Sequence, residues 1–134
     1  MERISRFVLI IVIGGGLQFC ADNPISSNLP ENLDGTWIFQ SYENEIYTMQ
    51  RAYTLKKDNY GFIFFHNGKF VERKNSGWCG TGPIVYSNFD GNWELESEDK
   101  LNINVGYWGG TANYKIEIIS VTNSSFKYRI KVIY

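Results

Sequence analysis

Trp93-Glu94-Leu95-Glu96-Ser97-Glu98-Asp99-Lys100-Leu101-Asn102-Ile103-Asn104-Val105-Gly106-Tyr107 carries two alternating runs separated by a polar turn. Trp93 and Leu95 alternate with Glu94 and Glu96, Ser97-Glu98-Asp99 turns the chain, and Leu101, Ile103, Val105 and Tyr107 alternate with Asn102, Asn104 and Gly106. Side chains of a strand point alternately to its two faces, so a period of two predicts half-buried strands paired as a hairpin. The pattern continues downstream. After Trp108-Gly109-Gly110-Thr111, Tyr114, Ile116 and Ile118 oppose Lys115 and Glu117; after Thr122-Asn123-Ser124-Ser125, Phe126, Tyr128, Ile130, Val132 and Tyr134 oppose Lys127, Arg129 and Lys131.

Upstream lies Asn75–Trp93, which places Cys79 beside Trp78 among four Gly and a Pro, a stretch where a strand-rich chain must pause and turn. Before it, Phe62-Ile63-Phe64-Phe65-His66 and Lys69-Phe70-Val71-Glu72-Arg73 flank Asn67-Gly68, which predicts a hairpin with a two-residue type I′ turn, both central residues at positive φ. Four successive apolar residues at 62–65 imply a strand covered on both faces, one face being assigned to the N-terminal half of the 75–93 loop. Trp37, Phe39 and Ser41 share one face of an opening strand, with Thr36, Ile38 and Gln40 on the other. Within 43–58, Tyr47–Leu55 reads as a strand, with a short helix as the alternative.

About eight short strands in roughly 100 residues, with no helix of more than two turns, make an all-β meander. A meander leaves two unpaired edges unless it closes. Closure predicts a small antiparallel up-and-down β-barrel over residues 33–134, just wide enough inside for side chains or one small ligand. A β-sandwich with Trp37 as ordinary core is the alternative.

The chain has 134 residues, 43% hydrophobic and 20% charged, with a formal charge of −1, which suits one domain with one core. Without a Lys/Arg cluster there is no electrostatic footprint for nucleic acid. Arg3 and Arg6 precede the apolar run Phe7–Ile13 and then small residues, the form of a bacterial export signal, too short to span a bilayer of about 20 helical residues. Leu17-Gln18-Phe19-Cys20 resembles a lipobox, with Leu at −3 as usual and Gln and Phe where small residues are usual. It implies removal of residues 1–19 and fatty acylation, of the palmitate type, at Cys20; an uncleaved anchor is the alternative. Residues 20–32, polar with two Pro, read as a flexible tether. The expected location is the bacterial cell envelope, lipid-anchored to the outer or inner membrane and facing the periplasm or exterior.

Gly35-Thr36-Trp37 after Leu33 resembles the G-x-W signature of lipocalin-like barrels, and Gly91-Asn92-Trp93 resembles the second half of the short lipocalin-like domains of bacterial lipoproteins. The resemblance implies that Trp37 packs across the closed end of the barrel beneath a basic residue of the last strand, for which Arg129 is the candidate.

No catalytic site emerges. His66 is the only histidine and sits beside a turn. With Cys20 acylated one thiol remains, too few ligands for an ordinary zinc site. Cys79 reads as a small buried hydrophobe, with a reactive thiol as the alternative. Glu94/Glu96 and Glu98/Asp99 read as a solvated face rather than paired acids across a cleft, and no G-x-S-x-G, H-E-x-x-H or P-loop spacing occurs. The protein is expected to be no enzyme and to need no cofactor. The candidate ligand-binding residues are Trp37, Phe39, Phe62, Phe64, Tyr114, Phe126 and Tyr128, which could line a pocket for a small apolar ligand or equally fill the barrel. The alternative function is a solid-cored surface module meeting a protein or glycan through loops 75–91 and 106–112.

Overall fold

A computed structural model describes residues 29–77 and 82–132; the export signal, Cys20, Trp78 and Cys79 lie outside the described residues. Eight strands alternate with turns: β1 Gly35–Glu43, β2 Ile46–Ala52, β3 Gly61–Phe64, β4 Lys69–Asn75, β5 Tyr86–Ser97, β6 Lys100–Tyr107, β7 Gly110–Val121 and β8 Ser125–Val132. Every neighbouring pair is antiparallel, and the sheet closes on itself in the order β1-β2-β8-β7-β6-β5-β4-β3. The stretch Tyr47–Leu55 is therefore a strand over its first part, and the expected closure of an antiparallel up-and-down barrel is present.

The ring carries one exchange. From β3 to β8 each strand pairs with the next, but the first hairpin enters with β1, not β2, beside β3, and β2 closes the ring against β8. The segment 53–60 must then pass back across the outside of β1. It is held there by the Phe39 amide donating to the Tyr60 carbonyl at 2.9 Å and by Arg73 Nε and Nη2 donating to the Lys57 carbonyl at 3.2 and 3.0 Å. Leu55 reaches Ile38 and Gly61, whose missing side chain leaves the room. This explains why Ile38 is buried although it alternates with Trp37. The outer cover expected over the whole apolar run at 62–65 is not continuous: Phe62 and Phe64 are buried, Ile63 is half-buried and Phe65 is exposed.

Two turns differ from expectation. At the β3–β4 turn the Gly68 amide donates to the Phe65 carbonyl and the Phe65 amide to the Lys69 carbonyl, with Gly68 at φ 91° and Asn67 outside the positive region. That is a three-residue loop with a left-handed third residue, so only Gly68 supplies the conformation expected of both. The two-residue turn with both central residues at positive φ sits instead at Asn44–Glu45, at 53° and 66°, between Glu43 and Ile46.

One hydrophobic core packs inside the barrel. Leu33, Trp37, Met49, Phe62, Phe64, Phe70, Trp93, Leu101, Ile103, Val105, Ile116, Phe126 and Tyr128 form one cluster of buried side chains. At the near end, where the chain enters at Leu33, Trp37 Nε1 donates to the Leu33 carbonyl at 2.8 Å and the Arg51 guanidinium lies 4.3 Å from the centre of its ring. Arg51 also donates to the carbonyls of Asp34 at 2.9 Å, Asn123 at 2.5 Å and Asn32. The basic partner of Trp37 is thus Arg51, not Arg129. Arg51 is the β2 residue paired with Trp37 and so shares its inward face, whereas Arg129 points outward and binds Glu117 at 2.8 Å. Gly35 completes the seal: its φ is 113°, and a Cβ there would lie 2.7 Å from Arg51 Nη1.

Candidate functional site

The far end differs from the near end, being built from the β1–β2, β4–β5 and β6–β7 connections. Along β4, Phe70, Glu72 and Lys74 alternate inward while Lys69, Val71 and Arg73 alternate outward, so a strand that supplies core at one end supplies charge at the other. Glu72 is buried. Its Oε2 accepts from the hydroxyls of Tyr60 and, at 3.0 Å, Tyr114; its Oε1 accepts from Lys74 Nζ at 2.6 Å. Lys74 Nζ also lies 5.2 Å from the centre of the Phe89 ring.

Burial, and after it the neighbouring Tyr114, Tyr128 and Glu72, push the Tyr60 phenol well above its ordinary range. Burial and then Glu72 do the same to Tyr114 and Tyr128. All three are held as neutral phenols, two of them as donors to the carboxylate. A buried carboxylate with three donors, one of them cationic, is compensated where it stands. The cluster orders the far end and offers no free base.

Above it lies an aromatic rim. Tyr128 stacks on Tyr47 with centroids 5.0 Å apart, and Tyr47 meets Tyr42 at 4.5 Å. Tyr42, Ile84, Val85, Tyr107 and Trp108 are exposed, Trp108 at 56%. An open depression of about 530 Å³ lies between Lys74, Asn75 and the β6–β7 tip formed by Tyr107, Trp108 and Thr111.

Of the candidate ligand-binding residues, Trp37, Phe62, Phe64, Phe126 and Tyr128 are buried and packed on one another, with Phe62 5.2 to 6.1 Å from Phe64, Phe126 and Tyr128. Phe39 and Tyr114 are half-buried at the edge of that cluster. None of the seven lines the far-end depression or the two on the outer sheet face. His66 is exposed beside its turn and faces Asp34 at 3.0 Å. Glu94 and Glu96 stand on the solvent face, where Lys115 bonds Glu96 at 2.6 Å and holds its carboxyl below the usual range. Among the described residues no three His, Cys, Asp or Glu side chains converge as metal ligands.

Sequence reasoning missed Glu72 and Arg51. The signal for Glu72 was present: it shares the inward parity of Phe70, and an acid and a base two residues apart, Glu72 and Lys74, stand on that same face. Arg51 had the same parity relation to Met49 on a segment whose strand was least legible. Comparison with known protein families, with curated proteins and with solved structures finds no match to this chain.

Proposed function

We propose that this protein is an extracytoplasmic bacterial lipoprotein, anchored through acylated Cys20, whose solid barrel serves as a non-enzymatic surface interaction module for a protein or glycan partner. The observation that carries the reading is the filled interior: the aromatic side chains that might have walled a ligand pocket are packed against one another. The chain enters at the near end, where Tyr53 and Phe65 are exposed, and Tyr42, Tyr107 and Trp108 are exposed at the far end, so a tether from Cys20 leaves that far-end group presented.

The second reading is a lipocalin-like carrier of a small apolar ligand. It is favoured by the closed eight-stranded antiparallel barrel and by the Trp37–Arg51 seal at one end, with which a lipocalin-like fold is compatible. Fluorescence titration of the purified protein with fatty acids and retinoids separates the two. The interaction module shows no saturable site; one saturable site that alters Trp emission overturns it in favour of the carrier. Cys20→Ser tests the anchor in fractionation, where loss of membrane association is expected and unchanged association removes the lipoprotein claim.

A further inference from the structure

The solvent face of β5, β6 and β7 carries residues that strands do not select for stability. Asn is depleted from strands because its short amide competes with the backbone and packs poorly on a pleated surface. Yet Asn92, Asn102, Asn104 and Asn113 all occupy central strand positions on this face. Register lines them up: Asn92 stands opposite Asn104, and Asn104 opposite Asn113; one row along, Asn102 lies between Glu94 and Lys115.

These rows form the floor of a trough. Two depressions of about 560 and 480 Å³ share Asn92 and Asn104; one extends toward Glu94, Glu96 and Lys115, the other over Gly106 and Thr111 toward Phe65, Lys69 and Asp90. The floor is low because its residues are short, and the walls are long side chains of both signs. Asn104 Nδ2 donates to Asn113 Oδ1 at 2.5 Å, which fixes the orientation of both amides. Asn102, beside them, hydrogen-bonds Glu96, and its Oδ1 is buried without a hydrogen-bond partner, where such atoms are ordinarily paired. Phe65, exposed at 41%, gives the trough an aromatic wall at one end.

Three carboxylates (Asp90, Glu94, Glu96) against two ammonium groups (Lys69, Lys115) leave no positive field for an anion and no dense negative one for a cation. Oriented amides offer donors and acceptors side by side, which matches hydroxyl groups that both donate and accept. An aromatic face beside them matches the apolar C–H face of a sugar ring. We propose that this trough on the outer face of β5–β7 binds a neutral oligosaccharide. The inference rests on the interaction-module reading and moves the contact from the loops to the strand face.

The test is calorimetric titration of the full-length protein in detergent with cello-, xylo-, malto- and chitohexaose. At least one is expected to bind, and the Asn92→Thr/Asn104→Thr double variant to bind it at least about ten-fold more weakly. Thr is favoured in strands, so the melting temperature of that variant should hold or rise, which separates lost contact from lost fold. Phe65→Ala, at an exposed turn, should weaken binding several-fold. Silence from every sugar at millimolar concentration overturns the trough, as does undiminished binding by the double variant or loss of binding only on Trp108→Ala. None of those results touches the module reading, which fails instead on saturable binding of the apolar probes.

Discussion

The two ends of the barrel close by opposite means. At the near end one indole is buried beneath one guanidinium, and the polar atoms involved are satisfied by backbone carbonyls: Trp37 Nε1 by Leu33, and Arg51 by Asn32, Asp34 and Asn123. At the far end the interior itself turns polar, with Glu72, Lys74, Tyr60 and Tyr114 joined side chain to side chain. The first arrangement is local to the point where the chain enters and ties that point to the β7–β8 turn. The second links the end of the crossover before β3 to β4 and β7 and carries an aromatic rim to solvent. An apolar plug needs only volume and one donor satisfied, whereas a buried carboxylate needs all its partners at once. The near end should therefore fail by loss of packing and the far end by loss of pairing.

Trp37→Ala is the most damaging break expected, since it opens a large cavity under Arg51 and orphans its cation–π contact. A loss of about 3 to 5 kcal/mol in urea denaturation is the size of such a truncation and takes most of the stability of a small domain. At the far end Glu72→Met should cost about 3 kcal/mol by stripping Tyr60, Tyr114 and Lys74 of their acceptor. The double variant Glu72→Met/Lys74→Met should recover the part of that loss due to the unpaired Lys74 charge, while the Tyr60 and Tyr114 hydroxyls stay without their acceptor. If the double variant falls as far as the sum of the singles in denaturant, the far end is held by packing after all, and the contrast between the ends disappears.

The sequence made the strands downstream of Trp93 legible because each is exposed on one face, so the period of two survives. It concealed the exchange of β1 and β2, since alternation states which face a residue takes but not which strand lies beside it. Ile38 is buried next to inward-facing Trp37 because Leu55 of the crossover at 53–60 lies over it, a tertiary fact with no local signature. Asn67-Gly68 announced a hairpin and misled on its turn type, because His66 joins the loop and Gly68 alone takes positive φ. Arg129 does not take the place over Trp37 because it lies on the outward face of β8 with Glu117, while β2, between β8 and β1, supplies Arg51.

Arg51→Met sharpens the near-end account. The thioether keeps apolar contact with Trp37 but leaves the Asn32, Asp34 and Asn123 carbonyls without their donor, a loss of about 2 kcal/mol expected in thermal or urea melts. A smaller and pH-dependent effect belongs to the far half of the barrel. Below pH about 10 the phenol of Tyr128 is neutral in both folded and unfolded chains. Above it the unfolded chain releases the proton while burial and Glu72 retain it in the folded one, so the unfolded state binds fewer protons and stability falls with rising pH. The slope from Tyr128 alone approaches about 1.4 kcal/mol per pH unit. Its phenolate absorbance should appear together with unfolding; ionisation of all nine tyrosines in the folded state would show the far interior to be open to water.

The smallest effect has the opposite sign. Glu45 sits at φ 66° as the second central residue of the β1–β2 turn, after Asn44 at 53°. Asn tolerates the left-handed region through its short polar side chain, but Glu has no such relief and its Cβ crowds the following carbonyl, a cost of roughly 1 to 2 kcal/mol. Gly removes that cost and adds freedom to the unfolded chain worth about 0.4 to 1 kcal/mol in the other direction. Glu45→Gly should therefore stabilise the protein by about 0.5 kcal/mol, seen as a small rise in melting temperature. The turn lies on the far rim beside Tyr42, so the same variant also tests whether that rim is strained for a purpose. A stability gain with unchanged partner binding makes Glu45 an ordinary imperfect turn residue. A gain in stability with a loss of binding places the Asn44–Glu45 turn in the surface that the far end presents.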